Sequence, residues 1–284
     1  MLGLPLRYWL KHPTIAVTDL ASDPMEIWTT VHDSYVAERE RRGREFRYKA
    51  DLVWERRLHD LLGLSWPCQL GAEFWDLWPR IMRTLEAKGI RPGPESFSSW
   101  NDGDAGFVRA IWCLVRHLKP KNVVETGVAH GVTSRFILEA MELNGVGHLW
   151  SVDLPPIERH WRGQVGVAVD GHLADEWSYI RGSSRRRLPE LLSRLGQIDL
   201  FIHDSLHSER NMRFELDLAW KVLKPDGTIV VDDIDASWGF KSFTEAHPGH
   251  PSMACEAEPI YPDLRRFNKK GMFGIILKQS SSRV

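Results

Sequence analysis

The chain has 284 residues, a hydrophobic fraction of 43%, a charged fraction of 26% and a formal net charge of −1. This composition suits a folded chain with a sizeable core, and it offers no global field for a polyanion, so nucleic acid is not the expected partner. No apolar run approaches the ~18 residues that span a bilayer, and the start MLGLPLRYWLKHP lacks a basic leader and a cleavage signal, so no membrane is expected and the cytoplasm is the expected location.

Residues 1–103 hold seven of the 13 tryptophans (Trp9, Trp28, Trp54, Trp66, Trp75, Trp78 and Trp100) and read as a helical extension. The stretch Arg91–Asp104 is dense in Pro, Gly, Ser and Asp and reads as a loop. Asp104 then caps a helix to about Leu118, with Phe107, Ile111, Leu114 and Val115 on one face. From there strands and helices alternate: strand 122–126, helix 133–144, strand 148–153, a long connection 154–176, strand 177–181, helix 184–195, strand 198–203, helix 209–223 and strand 228–232. A late apolar strand, Met272–Leu277, is expected at the far edge of the sheet. The fold class is therefore α/β, a Rossmann-like, doubly wound, mostly parallel sheet on residues 104–284, preceded by the helical extension 1–103. The three cysteines, Cys68, Cys113 and Cys255, show neither CxxC spacing nor a metal-ligand rhythm and read as reduced thiols.

The first strand runs into Glu125-Thr126-Gly127-Val128-Ala129-His130-Gly131, and a helix follows. Glycines at such a turn allow a tight reversal and close backbone approach, and the helix start offers free N–H groups. The dinucleotide pattern G-x-G-x-x-G fails here, because its positions hold Gly127, Ala129 and Val132. Asp153 ends the second strand, where it reads either as a partner for ribose hydroxyls or as a turn aspartate. Gly182-Ser183-Ser184 follows the third strand, either beside an adenine or as a helix cap.

The segments VVETGVAHGVTS, WSVDLPP and LKPDGTIVVDDID resemble the class I S-adenosylmethionine-dependent methyltransferases over about residues 104–280. The family pattern E-x-G-x-G-x-G has Ala129 at its middle glycine in this chain. The resemblance implies S-adenosylmethionine as cofactor. It places Glu125, Thr126, Gly127, Val128, Ala129, Gly131, Thr133 and Ser134 at the methionine end, Asp153 on the ribose, and Gly182 and Ser183 at the adenine.

A second constellation is rich in carboxylates. Asp204 follows the fourth strand and Asp232-Asp233 end the fifth, on the same edge as the Gly127 turn. Three such carboxylates repel unless a cation neutralises them, and oxygen ligands favour a hard ion such as Mg²⁺. His207, three residues after Asp204, is placed to take a proton from an acceptor hydroxyl; Asp235 and His203 are weaker substitutes. The bland reading is a set of caps and turns. The metal-dependent catechol-type and sugar O-methyltransferases resemble this chain in an acidic residue after strand four, an acidic pair after strand five and, in the sugar enzymes, D-x-x-H, here Asp204 to His207. That likeness implies Mg²⁺ on Asp204, Asp232 and Asp233, His207 as base, and a sugar or polyhydroxylated small molecule as acceptor. A metal-independent methyltransferase and a non-catalytic S-adenosylmethionine-binding protein remain as alternatives.

The extension and the 154–176 connection are expected to select the acceptor, with Trp100 or Trp161 as stacking surfaces. The basic cluster Arg181 and Arg185–Arg187 is expected to face solvent.

Overall fold

The computed structural model describes residues 4–41, 48–91, 104–154, 156–258 and 271–280. Five helices precede the sheet: α1 (Leu4–Lys11), α2 (Pro13–Ser22), α3 (Pro24–Arg41), α4 (Trp54–Leu62) and α5 (Gly71–Ala87). They are followed by α6 (Ala105–Leu118), β1 (Asn122–Thr126), α7 (Val132–Asn144), β2 (His148–Asp153), β3 (Trp177–Arg181), α8 (Ser184–Leu195), β4 (Ile198–His203), α9 (Glu209–Val222), β5 (Leu223–Val231), α10 (Gly239–Ala246), β6 (Ser252–Glu256) and β7 (Met272–Leu277).

The strand order is β3-β2-β1-β4-β5-β7-β6, parallel except that β7 runs antiparallel to both β5 and β6. This is the Rossmann-like doubly wound sheet that the alternating pattern predicts. Continuous apolar stretches make it so: Val123, Val124, Leu200, Phe201, Ile202, Ile229, Val230 and Val231 are all buried, as strands covered on both faces must be. Two elements differ from expectation. Met272–Leu277 does not lie at the edge, because β6 pairs on its far side. β5 begins at Leu223, so Lys224–Gly227 belongs to the strand, where Asp226 takes a left-handed φ of 62°.

Helix α6 begins where Asp104 accepts hydrogen bonds from the N–H groups of Gly106 and Phe107, leaving fewer orphan donors at the helix start. It is buried almost all round, between the sheet and the extension. Trp54 and Leu58 of α4 and Phe74, Leu77, Trp78, Ile81 and Leu85 of α5 join one hydrophobic core with Phe107, Ile111, Leu114, Phe136 and Leu149. Phe136 stacks on Phe74 at 4.8 Å and meets Trp112 edge-on, so α5, α6 and α7 interlock through aromatic side chains. Trp28, Trp66 and Trp75 are exposed.

Register brings the strand ends into one row. Thr126 pairs with Val152 on one side and His203 on the other, His203 pairs with Val231, and Asp153 pairs with Arg181. The residues that follow, Gly127, Asp204, Asp232 and Gly182, therefore emerge together with Asp153 along the C-terminal edge. The chain winds outward from β1 in both directions, so the crevice where open α/β sheets take ligands falls between β1 and β4.

Candidate active site

A cavity of about 330 Å³ opens at that crevice. Its sheet-side wall is Gly127, Val128, Ala129, Val152, Asp153, Leu154, Asp204, Ser205 and Leu206, and α8 and α9 contribute Ser184 and Asn211 beside Ser183. Thr29, Thr30, Asp33 and Ser34 of α3 form the opposite wall. Gly182 lines an adjoining cavity that shares Thr30 and Leu154. The 330 Å³ cavity is the relevant one because it lies on the switch point and holds most of the strand-end residues.

Gly127 adopts φ +87°, and a Cβ there would lie 1.8 Å from the carbonyl oxygen of Asp204. Only glycine lets the β1 turn and the β4 end touch. Gly131 has φ +82° and its missing Cβ is replaced by Gly166, whose Cα would be 2.9 Å away. The 154–176 connection is stitched to this turn by hydrogen bonds from Gly166 N to Ala129 O (2.9 Å) and from Ala168 N to His130 O (2.8 Å). Ala129 itself sits at φ 46°, the left-handed conformation that a family glycine would adopt without strain.

The other residues of this motif point elsewhere. Glu125 is fully buried, its carboxylate accepting from the hydroxyls of Ser134 (2.6 Å) and Ser151 (2.8 Å). The Thr126 hydroxyl donates to Glu215 at 2.5 Å. Glu125, Thr126, Gly131, Thr133 and Ser134 do not line the cavity, whereas Gly127, Val128, Ala129, Asp153 and Ser183 do. Asp153 Oδ2 and Ser183 Oγ are buried polar atoms without a protein partner, as expected of atoms reserved for a ligand.

Burial, followed by the charge of Asp153, pushes Glu125 up to about 7. Burial pushes Asp153 to about 7 as well, against the backbone N–H groups of Val128, Ala129 and Leu154. Both folded values lie above the unfolded carboxylate range of about 4. Their contribution to stability is therefore full below pH ~4 and is lost as pH rises through ~7. The unliganded protein is expected to melt several degrees lower at pH ~8 than at pH ~5.5, with Glu125→Gln flattening the difference. A melting series across pH checks this, and an unaltered slope in the variant would rule Glu125 out as the source.

The acidic cluster is compact. Ligand atoms of Asp204, His207 and Asp232 lie within 4.8 Å of one another. His207 Nε2 is 4.0 Å from Asp204 Oδ1 and 3.8 Å from Asp233 Oδ2. Asp233 occupies a left-handed φ of 48°, unusual backbone at the rim of the site. Asp204 and Asp232 are both pushed well above the usual carboxylate range by burial, and by the charges of each other's neighbourhood: Glu125 and Asp233 around Asp204, Asp204 and Asp233 around Asp232. Two half-buried carboxylates in acidic surroundings and an imidazole fit a divalent cation.

His203 is not available as a substitute base. It is fully buried, with Nδ1 2.6 Å from Glu215. Glu215 of α9 also accepts from Ser205 (2.8 Å) and Asn211 (2.9 Å). Burial alone would raise its carboxyl, but the His203 charge and the hydrogen bonds of His203, Ser184 and Thr126 hold it down at about 2. The network braces the start of the Asp204–His207 segment from beneath, and the sequence gives no hint of it beyond Asn211 and Glu215 sharing a helix face.

The basic cluster after β3 also departs from expectation. Arg185 pairs with Asp33 (2.8 Å), and Arg186 with Asp23 (2.6 Å) and Glu26 (3.1 Å), so these two face α2–α3 rather than solvent. Ser183 N donates to Glu26 at 3.1 Å. These contacts bring α3 over the cavity. Trp161 lies in the 154–176 connection, outside the cavity lining, and Trp100 lies outside the described residues.

Residues 124–234 match the family model described as a methyltransferase domain. Over that segment the chain is similar to methyltransferase domains. The chain is similar in fold to a crystal structure described as a "putative O-methyltransferase from Klebsiella pneumoniae", with TM-score 0.51, 16% identity, 81% of this chain and 97% of that chain covered. The cofactor-bound Rv0187 from MTB gives TM-score 0.50, 14% identity, and coverage of 83% and 100%. At such identities the likeness is one of fold. Among curated proteins no sequence matches. No helix among the described residues is long and apolar enough to cross a membrane.

Proposed function

We propose that this methyltransferase transfers the methyl group of S-adenosylmethionine to a hydroxyl of a sugar or another polyhydroxylated small molecule, with Mg²⁺ assisting. The observation that carries the reading is that Asp204 belongs to both the cavity wall and the Asp204–His207–Asp232 cluster, so the cofactor and the acceptor hydroxyl meet at one carboxylate. S-adenosylmethionine brings the electrophilic methyl, and Mg²⁺ lowers the pKa of a hydroxyl bound to it.

In this reading the Gly127–Ala129 backbone and Ser183 border the cofactor, and Asp153, with its unpartnered oxygen, takes the ribose hydroxyls. Glu125, Thr126, Gly131, Thr133 and Ser134 act by shaping the turn, and Gly182 by closing the adenine side. Asp204, Asp232 and Asp233 hold the cation. His207 accepts the hydroxyl proton. A second role for His207, as a cation ligand, is favoured by its ring nitrogen lying within 4.8 Å of both Asp204 and Asp232 ligand atoms. Domain 1–103 covers the acceptor, with α3 closing the cavity, and domain 104–284 carries the chemistry.

Titration calorimetry with S-adenosylhomocysteine, with and without Mg²⁺, tests the reading alongside an acceptor screen using labelled methyl donor. Cofactor binding with Mg²⁺-dependent labelling of a hydroxylated acceptor is expected. Full turnover in excess chelator would remove the cation from the reaction, and absence of cofactor binding would remove the whole reading.

A further inference from the structure

The scattered thiols acquire a pattern once the chain is folded. His59 lies on α4, Cys68 between α4 and α5, and Cys113 and His117 four residues apart on one face of α6. The ligand atoms of all four lie within 4.8 Å of one another. We propose that His59, Cys68, Cys113 and His117 form a structural zinc site that clamps the α4–α5 helices of the extension to α6.

The spacing fits the metal. In a tetrahedral site with Zn–S of about 2.3 Å and Zn–N of about 2.0–2.1 Å, a sulfur and a nitrogen ligand lie about 3.6 Å apart. Cys68 Sγ is 3.5 Å from His117 Nε2, and Cys113 Sγ is 3.7 Å from His59 Nε2. The two imidazole rings are 5.7 Å apart and nearly perpendicular, at 85°. His59 Nδ1 donates to the carbonyl of Glu55 at 2.7 Å, which fixes the tautomer and leaves the Nε2 lone pair for the cluster. His59 and Cys113 are buried, and all four positions are filled by the protein, as in structural rather than catalytic zinc sites.

The chemistry separates this site from the acidic one. Two sulfurs and two imidazoles select zinc, whereas the carboxylate edge selects a hard ion. None of the four residues lines the cofactor cavity. On binding, the two thiol protons leave to solvent, and the two thiolates balance the 2+ charge. The site then joins residues nearly sixty positions apart and ties the nine-residue helix α4 to α6.

Elemental analysis of the full chain, purified without chelator and dialysed, is expected to find about one zinc per chain. Cys68→Ser and His117→Gln are expected to cut zinc retention at least about tenfold, while Cys255→Ser, which alters the remaining thiol, leaves it unchanged. Should those variants fail to fold, mercurial titration of the parent is expected to release zinc stoichiometrically to an indicator, and Co²⁺ replacement to give tetrahedral, thiolate-bound spectra. Removing zinc is expected to lower Tm in a way that Mg²⁺ does not restore. A metal-free parent with three freely reacting thiols would overturn the proposal. So would a Cys68–Cys113 disulfide, seen as a mass lower by two hydrogens, or a folded Cys68→Ser that keeps its zinc.

Discussion

Gly127→Ala is expected to cost about 3 kcal/mol or more of stability and to abolish binding of S-adenosylhomocysteine. The added Cβ would stand 1.8 Å from the Asp204 carbonyl oxygen and 2.5 Å from its carbon, at a φ of +87°. Both obstructing atoms are backbone, so no side chain can swing aside, and the β1 turn must pull away from β4. At roughly 2–4 °C per kcal/mol for a chain of this size, the melting point should fall by about 6–12 °C. Gly131→Ala supplies the internal comparison. Its Cβ meets Gly166 Cα at 2.9 Å, a backbone contact about 1 Å less severe than the one at Gly127, and a smaller loss of about 1–2 kcal/mol is expected. Thermal unfolding and calorimetry on both variants check the pair; equal effects would mean that the Asp204 contact is not what constrains the turn.

Asp204→Asn is expected to raise stability while destroying activity. Burial and the charges of Glu125 and Asp233 disfavour a carboxylate at Asp204, so a neutral amide there should raise the melting point of the metal-free protein. The same change removes a proposed cation ligand. Turnover should drop by about 10²-fold or more, and the melting-point gain on adding Mg²⁺ should vanish. A melting series with and without Mg²⁺, read beside turnover, separates this from simple unfolding. A variant whose Mg²⁺ response equals the parent's would exclude Asp204 from the cation site.

Much of the sheet is legible in the sequence because its strands are buried on both faces and spell continuous apolar runs, as in Leu200–Ile202 and Ile229–Val231. The short strand Ser252–Glu256 is not, since only alternate residues, Met253 and Cys255, are buried there. Missing it puts Met272–Leu277 at an edge that β6 in fact occupies. At the site, the glycine turn and the strand-end acids can be read because local spacing and strand order place them. The α3 wall cannot. Asp23, Glu26 and Asp33 look like ordinary solvated helix residues, and their partners Arg185 and Arg186 lie some 150 positions away. The His59–Cys68–Cys113–His117 cluster is hidden for the same reason, because its ligands come from three separate segments.

The stitching of the 154–176 connection onto the Gly127–Gly131 turn bears on how tightly a ligand can be held. With Asp204 backbone against one glycine and Gly166 backbone against the other, and with the Ala129 and His130 carbonyls already hydrogen-bonded, the shape of the turn is set by contacts within the fold. Its conformational entropy is given up during folding. A nucleoside ligand arriving at this turn therefore has no loop to order, and the free energy of its contacts is available as affinity.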